Sequence, residues 1–379
     1  MRSIVCNKWG PPSSLSFEEG PAPRQPGKGE VAIAVSACSV NFPDLLVIQG
    51  KYQMKPKMPF VPGGEVAGVI TALGEGCTRF RLGDRVVAFI GFGGFATDLV
   101  AEEKTVSLLP PGMDFVTASS FLIAYGTADY ALRVRAKVRE GELVLVLGAS
   151  GGVGLAAVQL AKAAGATVIA AASSADKLQA CRDSGADLLL NYRDFEGVVA
   201  GGEGGRSKGR GRDWRAALRR LTGGRGVDVV LDNVGGADCE PAIRSLAVGG
   251  RYLVVGFASG TIPSPPLNLV LLKESCVMGV FWGAWRARRP EESAEQMDEL
   301  ARLFRLGKLK PVVSRVYLLD EVPRALEDMA ARRVVGKVVI DTTRWAASGA
   351  GGDSGSGGYG GGGRRAGAGA AAPSAISRL

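Results

Sequence analysis

The chain has 379 residues, 46% of them hydrophobic and 22% charged, which is typical of a globular protein long enough for two domains of roughly 150–200 residues. Seven basic residues of its +9 formal charge fall in two glycine-rich segments, 201–212 and 346–379. Without them the charge is +2, so no nucleic-acid partner is predicted. The sequence has no uncharged apolar run of about 18 residues, and the N-terminal MRSIVCNKWGPP lacks a signal peptide's long apolar core, so neither a transmembrane helix nor secretion is expected.

Residues 1–124 predict a mostly β domain of barrel-like form. Apolar or alternating runs are separated there by turns such as PGG and LGD. The runs are EVAIAVSACSV (30–40), EVAGVITAL (65–73), RVVAFI (85–90) and FATDLVAEEKTVSLL (95–109).

After residue 140 the pattern changes to strands that alternate with helices. LVLVLGA (143–149) is a continuous apolar run, as expected for a parallel strand covered on both faces. The other predicted strands are TVIAAA (167–172), DLLLNY (187–192), VDVVLD (227–232), RYLVVGF (251–257) and SCVMGVF (275–281). The predicted helices are GGVGLAAVQLAKAAG, SADKLQACRDSG, DWRAALRRL and CEPAIRSLAV. Six strands in such alternation indicate a doubly wound dinucleotide-binding domain over 125–306.

The chain then returns to its first domain. Helix PEESAEQMDELARLFRLG (290–307) closes the second domain, and the strand- and helix-like segment 307–345 is expected to complete the first. The insertion 201–212 is predicted to be a flexible loop and the tail 346–379 to be disordered, because both lack apolar content. The six cysteines include no CxxC pair and are expected to be reduced.

The segment GASGGVG (148–154) follows a buried strand and opens a helix, which favours a phosphate-binding loop of the pattern A-x-G-x-x-G. Gly151 lets the backbone approach a pyrophosphate, and Gly154 lets the helix pack closely on the strand. The second strand ends without the acid that binds the ribose of NAD. Ser173 and Lys177 stand there instead and suit a 2′-phosphate, so NADP is the predicted cofactor.

Several motifs then carry a specific resemblance. They are VNFPDLLVIQGKYQMKPKMPFVPGGEVAG (40–68), LGDRV (82–86), LVLVLGASGGVG, KLQACRDSGAD, VDVVLDNVGG, GRYLVVGFASG, MGVFWGAW and GKVVIDT. In this order they resemble the quinone oxidoreductase (zeta-crystallin-like) branch of the medium-chain dehydrogenase/reductase superfamily, over about residues 1–343 apart from 201–212. The resemblance implies an α/β fold with a six-stranded doubly wound Rossmann domain inserted in a GroES-like β-barrel domain. The active site would lie in the cleft between the domains, and two chains would form a homodimer through the 275–281 strand.

Metal-dependent relatives hold a catalytic zinc with a Cys where Asn41 stands and a His where Gly64 stands. Asparagine is a poor zinc ligand, glycine is none, and the chain contains no histidine at all. The loop of four closely spaced cysteines that binds structural zinc in those relatives is also missing. No metal is therefore predicted, and Glu65 is expected to be a structural partner.

Without a Lewis acid, a conjugated acceptor is favoured because its own π system spreads the incoming charge. The predicted reaction is reduction of a quinone or another enone by NADPH. The resemblance places the catalytic candidates Asn41 and Asp44 near the nicotinamide and Tyr52 in the acceptor pocket. Asp44 could instead be a helix-capping turn residue. Tyr52 could pack, stack on the acceptor or donate a proton.

The cofactor-binding candidates combine the glycine loop with positions that the resemblance implies. Loop residues should meet the pyrophosphate, residues after the second and third strands the adenosine phosphate, and residues near the later strand ends the ribose or nicotinamide. By the resemblance, Thr127 would contact the cofactor near its reactive ring, and Lys337 is another cofactor-facing position. The candidates are Thr127, Gly151, Gly152, Val153, Ser173, Lys177, Tyr192, Asn233, Phe257, Ala258, Phe281, Trp282 and Lys337.

The chain ends in Ser377-Arg378-Leu379, which resembles a peroxisomal address of the SKL type read by an import receptor. Peroxisome is therefore the predicted location, with the cytoplasm as the alternative. Two other functions remain open on the sequence alone. One is a 2-enoyl thioester (enoyl-CoA) reductase, and the other is an NADPH-binding protein with an RNA-binding or structural role that relies on the two basic segments.

Overall fold

The structure, a computed structural model, describes residues 1–195 and 214–345. The predictions on the 201–212 insertion, the 346–379 tail and its terminal tripeptide lie outside the described residues. No helix within the described ranges is long and apolar enough to cross a bilayer.

The strands and helices of the described residues follow one another in chain order. The strands are β1 (Arg2–Val5), β2 (Ser16–Glu19), β3 (Glu30–Val40), β4 (Glu65–Leu73), β5 (Arg85–Phe89), β6 (Asp98–Glu102), β7 (Val106–Leu108), β8 (Leu143–Leu147), β9 (Thr167–Ala172), β10 (Leu188–Asn191), β11 (Val227–Asp232), β12 (Leu246–Val254), β13 (Cys276–Gly279), β14 (Val313–Leu318) and β15 (Lys337–Asp341). The α-helices are α1 (Phe42–Ile48), α2 (Phe115–Ser119), α3 (Leu122–Asp129), α4 (Gly152–Ala163), α5 (Ala175–Asp183), α6 (Arg215–Leu221), α7 (Cys239–Arg244), α8 (Asn268–Leu272), α9 (Trp282–Arg288), α10 (Pro290–Arg305) and α11 (Val322–Ala330). A π-helix, Tyr130–Ala136, continues α3, and short 3-10 helices lie at Pro12–Ser14, Glu103–Thr105, Tyr192–Phe195, Gly236–Asp238 and Leu319–Glu321.

The middle of the chain forms a six-stranded parallel sheet in the order β10-β9-β8-β11-β12-β13. The strand order reverses between β8 and β11. From β8 the chain continues to β9 and β10 on one side of the sheet, whereas β11 is followed by β12 and β13 on the other side. Such a switch point is where open α/β sheets bind ligands. The apolar run of β8 is buried on both faces, as its lack of alternation predicts. The predicted α/β class with a doubly wound parallel sheet is confirmed.

The second large sheet has the order β14-β15-β3-β4-β5-β7, with β6 pairing β3. β3 alternates between half-buried and buried residues over its first half and is fully buried over 37–40. There β15, from the far end of the chain, pairs with it antiparallel, with Ile340 opposite Cys38. The last described strand thus lies in the same sheet as β3.

Three predicted elements differ from the structure. The run 95–109 is two strands, β6 and β7, separated by the 3-10 helix Glu103–Thr105. Residues 115–124, assigned to the strand-rich domain, are mostly helical, because the Asp114 carboxylate accepts from the Thr117 amide and caps α2. The predicted helix CEPAIRSLAV ends at Arg244, and its last apolar residues open β12. A short apolar run does not by itself distinguish strand from helix.

Candidate active site

The glycine loop lies at the carboxyl end of β8, beside the switch point. Gly148 has φ +66°, a left-handed conformation that favours glycine. A Cβ on Gly154 would lie 2.4 Å from the carbonyl oxygen of Gly148, so only glycine lets α4 pack this closely on the strand. At Gly151 a Cβ would meet only the Gly148 oxygen, at 3.5 Å. The loop therefore keeps an open approach at Gly151 and a close one at Gly154, as the motif predicts.

The returning segment runs directly along this loop. The Gly336 amide donates to the Ser150 carbonyl over 2.7 Å, and Gly336 forms a parallel bridge with Gly151. The Lys337 stem covers Gly152, where a Cβ would lie 2.6 Å from Lys337 Cδ. Gly336 itself has φ +65°, and a Cβ there would be 2.3 Å from the Val312 carbonyl oxygen. The close contact between segment and loop thus depends on glycine on both sides.

Lys337 continues past the loop into a buried polar cluster of Ser39, Asn41, Glu65 and Lys337. Its Nζ donates to Asn41 Oδ1 at 2.6 Å and to Glu65 Oε2 at 3.3 Å. Glu65 is fully buried and also accepts from Ser39 Oγ at 2.6 Å, from Asn41 Nδ2 at 3.2 Å and from the Ile123 amide at 2.9 Å. Asn41 Nδ2 also donates to Ser39 Oγ. Glu65 is therefore a structural partner. Both ends of the Asn41 side chain are held, because its Oδ1 accepts from Lys337 and its Nδ2 donates to Ser39 and Glu65.

Asp44 and Tyr52 border this cluster. The Asp44 carboxylate accepts from the backbone amide of Asn41 at 2.7 Å, which fixes the start of α1. The capping role considered from sequence is therefore present. Burial raises the pKa of Asp44 to about 7, against the lowering effects of the Asn41 amide and of Lys337. Tyr52 is half-buried, and burial, followed by the negative charge of Asp44, raises its pKa. Its phenol is therefore a neutral proton donor at physiological pH.

The donor set of this cluster does not suit a metal ion. Asn41 turns its oxygen to Lys337, so a buried ammonium lies between the amide and the Glu65 carboxylate. A second cation there would meet that charge directly. Within residues 1–195 and 214–345, no three His, Cys, Asp or Glu side chains are grouped as metal ligands.

A second group of cationic side chains lies beyond the end of β9. Lys177 Nζ donates to the Arg332 carbonyl at 2.7 Å, and the Arg332 guanidinium donates to the Ala258 carbonyl at 3.1 Å. Burial, and then the charges of Arg332 and Arg193, lower the pKa of Lys177. Ser173 is half-buried at the end of the same strand. Sequence reasoning missed Arg332, because it lies 155 residues from Lys177 in a segment without a motif.

Other candidates lie around the switch point. Asn233 follows β11, and its Nδ2 donates to the Leu147 carbonyl at 3.0 Å, which places it beside the glycine loop. Its own carbonyl accepts from the Ala258 amide, so Asn233 and the 257–258 turn are adjacent. Phe257, Thr127 and Val153 are half-buried.

Two residues that were candidates for contact with the cofactor, Tyr192 and Trp282, are buried in the interior. Tyr192 is buried, and its hydroxyl accepts from the Gly148 amide at 2.9 Å, so it supports the glycine loop from within. Trp282 is also buried. Its indole packs on Gly126 and Phe89 and donates to Gln296 at 2.8 Å, which gives the side chain a packing role. Phe281, its neighbour, is 56% exposed. The sequence carries no signal for this packing, because Phe89 and Gly126, which the indole contacts, lie more than 150 residues from Trp282 in the chain.

The fold and the site together define a class: a GroES-like domain interrupted by a Rossmann-type domain, with a glycine loop facing a buried polar cluster. Two family models match the chain, the alcohol dehydrogenase GroES-like domain over residues 27–111 and the zinc-binding dehydrogenase domain over residues 152–302.

Curated relatives and solved structures narrow the class. The chain is 36% identical to quinone oxidoreductase-like protein 2 of Bos taurus over 89% of this chain and 92% of that protein. It is 32% identical to the quinone oxidoreductase of Homo sapiens over 90% and 97% of the two chains. The quinone oxidoreductase of Escherichia coli, solved in complex with NADPH, superposes with a TM-score of 0.80 at 29% identity, covering 90% of this chain and 100% of that one. The chain belongs to the quinone oxidoreductase branch of the medium-chain dehydrogenase/reductase superfamily.

Proposed function

We propose that this chain is an NADPH-dependent, metal-free reductase that transfers a hydride to a quinone or to another conjugated enone. The observation that carries the proposal is the bridge made by Lys337. Its stem lies on the glycine loop at Gly152 and its ammonium lies in the cluster of Asn41 and Glu65. A cofactor whose pyrophosphate rests on the loop is thereby held next to the candidate catalytic residues.

The residues present fit NADP(H). The first-turn amides of α4 have no intrahelical acceptor and, with the helix dipole, suit a pyrophosphate. β9 ends at Ala172 and is followed by Ser173, without an acid at that position. The cations Lys177, Arg193 and Arg332 gather beyond it, and charge-assisted hydrogen bonds from such groups suit a 2′-phosphate. The NADPH complex of the Escherichia coli relative supports the same choice.

When bound, the reduced nicotinamide supplies the hydride. Lys337, Ser39 and Glu65 hold the Asn41 side chain in one orientation, so this side chain does not have to reorient during the reaction. The hydride brings two electrons to the conjugated acceptor, and negative charge develops on the acceptor oxygen. Tyr52 makes no hydrogen bond to the described residues, so its neutral phenol is available to donate to that oxygen, with solvent replenishing the proton.

A steady-state screen tests the proposal. Oxidation of NADPH and of NADH would be followed with ortho- and para-quinones, alkenals and enoyl-CoA. We expect turnover with quinones or alkenals and a preference for NADPH. Turnover with enoyl-CoA alone would establish the thioester reductase instead. Tight NADPH binding without turnover of any acceptor would leave the non-enzymatic alternative.

We also infer a homodimer that joins the parallel sheets at β13. This strand lies at the sheet edge with its side chains largely exposed, and Val277 is 48% exposed. The segment that precedes β13 in the chain carries further exposed apolar residues: Ile262 (74%), Leu267 (77%), Leu271 (75%) and Leu272 (71%). An unpaired edge with such a patch favours association. Light scattering on the wild type and on Val277→Lys tests this, and equal masses for the two proteins would count against it.

Peroxisomal import through Ser377-Arg378-Leu379 stays a proposal based on the sequence. A fluorescent protein that carries residues 346–379 should become punctate in cells, like a control that ends in SKL. Diffuse fluorescence of the fusion beside a punctate control would leave the cytoplasm as the location.

A further inference from the structure

A cavity of about 370 Å³ lies between the π-helix Tyr130–Ala136 and helix α9. Arginines dominate its wall. Arg135 comes from the π-helix, Arg288 is the last residue of α9, and Arg289 joins α9 to α10. The lining includes a single acid, Glu292 on α10. We call this group the arginine cavity. It shares no residue with the glycine loop or with the Lys177 group.

The charges of the arginine cavity are poorly compensated. Arg135 Nε is buried and has no hydrogen-bond partner among the described residues. Neither Arg135 nor Arg288 makes an ion pair within the described parts of the chain. Arg289 approaches Glu292 only to 3.6 Å, and both side chains are more than half exposed, so solvent screens that pair. A buried N–H donor without an acceptor is uncommon in folded proteins, so the arginines of this wall lack the internal compensation that buried polar groups usually have.

The floor of the cavity is rigid. The rings of Tyr130 and Trp285 stack with centroids 4.8 Å apart and an angle of 24° between their planes. Both residues are at most 7% exposed. The stack joins the π-helix to α9, so the elements that carry Arg135 and Arg288 are fixed relative to each other before any ligand binds. Single-turn π-helical segments occur frequently at functional sites.

We propose that the arginine cavity binds a phosphate ester or a small polyphosphate. The planar guanidinium fork matches the oxygens of a phosphate, and a tetrahedral dianion can accept hydrogen bonds from several forks at once. The volume lies within the range of small-ligand sites, so the cavity has room for a phosphorylated small molecule beyond the phosphate itself.

Titration calorimetry and thermal melting of the full chain test this, with inorganic pyrophosphate as the probe. NADPH in excess keeps pyrophosphate from the glycine loop, and ionic strength is held constant with chloride. At ten times its Kd, an anion that binds only the folded chain raises the melting midpoint by about 2 °C for a chain of this size. The wild type should show this rise. The Arg135→Gln/Arg288→Gln variant should not, while Arg305→Gln, which removes an exposed arginine of α10 outside the cavity, should match the wild type.

A gain-of-binding variant separates the proposal from misfolding. Glu292→Gln removes the acid from the wall and releases Arg289, so pyrophosphate should bind more tightly, by a few-fold. Arg288→Gln alone, at an exposed position, should weaken binding without lowering the midpoint of the unliganded protein.

Three results would overturn the proposal: no pyrophosphate binding by the wild type, an equal rise for wild type and the double variant, or no tightening in Glu292→Gln. Citrate binding as tight as pyrophosphate would reject the phosphate class. A failure of NADPH to bind would argue against the reductase instead, and the comparison of cavity variants would still hold.

Discussion

Replacement of Lys337 by methionine should destabilise the protein far more than loss of an ordinary ion pair. Methionine keeps most of the stem that covers Gly152 but removes the ammonium. Glu65 has no exposed surface, and the Lys337 side chain is 8% exposed, so solvent cannot take over the lost contact. Breaking a buried pair from one side costs about 3–5 kcal/mol.

The lower end of that range is expected here. Glu65 keeps three neutral donors, namely Ser39 Oγ, Asn41 Nδ2 and the Ile123 amide. A loss of about 3 kcal/mol corresponds to a fall of about 4 °C in the melting midpoint of a chain this long. Urea unfolding followed by circular dichroism measures the free energy, and calorimetry measures the midpoint.

Two further variants make the Lys337 prediction specific. Lys162→Met breaks the pair with Asp187, whose N–O distance of 2.8 Å is shorter than the 3.3 Å between Lys337 and Glu65 but whose side chains are 36% exposed, so its loss should stay below about 1 kcal/mol. Lys337→Met/Glu65→Gln removes both buried charges and should recover much of the loss. If Lys337→Met cost no more than Lys162→Met, or if the double variant were worse than the sum of the singles, the assigned role of the buried pair would be wrong.

Three other predictions use the same cluster and the cofactor site. Burial raises the pKa of Asp44 from 3.8 to about 7, so between these values the folded chain holds a proton that the unfolded chain releases, and stability falls as pH rises. The Asp44→Asn variant should lack this fall. Urea titrations should therefore show that the unfolding free energy of the variant minus that of the wild type rises from pH 4 to 7, and a difference that stays constant would contradict the raised pKa of Asp44. Gly336→Ala should cost about 1–3 kcal/mol more than Gly307→Ala in the same assay, because both have positive φ but only the Cβ at 336 meets backbone; equal losses would refute the close approach. Lys177→Ala and Arg332→Gln should each raise the Kd for NADPH roughly 10-fold or more by fluorescence titration and leave that for NADH nearly unchanged, whereas equal losses for both would remove the 2′-phosphate assignment.

The sequence predicts the scaffold well because its signals are local. β3, β4, β9 and β11 have the predicted bounds, since each is an apolar or alternating run with turn residues at both ends. Errors occur where a local pattern is ambiguous, as in the apolar end of CEPAIRSLAV, which pairs as part of β12. The glycine loop is also local, because strand, turn and helix follow one another within about a dozen residues.

The site was only partly predictable because its decisive contacts join distant residues. Asn41 and Lys337 are 296 residues apart, and Lys177 and Arg332 are 155 apart. The resemblance selected Asn41 and Lys337 separately, but no pattern in the sequence indicates that one donates to the other. Tyr192 and Trp282 show the converse: aromatic residues beside strand ends suggest ligand contact, whereas their burial here serves the loop and the core.

The short segment from Arg332 to Lys337 explains how the two halves of the site are kept in register. At one end Arg332 bonds both Lys177 and Ala258, at the nucleotide end of the sheet. In the middle Gly336 is joined to Ser150 in the glycine loop, and at the other end Lys337 holds Asn41. Because β15 anchors this segment in the first sheet, five peptide units join the Arg332 end to Lys337, and a single peptide unit joins the loop contact of Gly336 to Lys337 in the buried polar cluster. A cofactor aligned on the loop would then be aligned on Asn41 as well, which is the preorganisation that the proposed metal-free reduction requires.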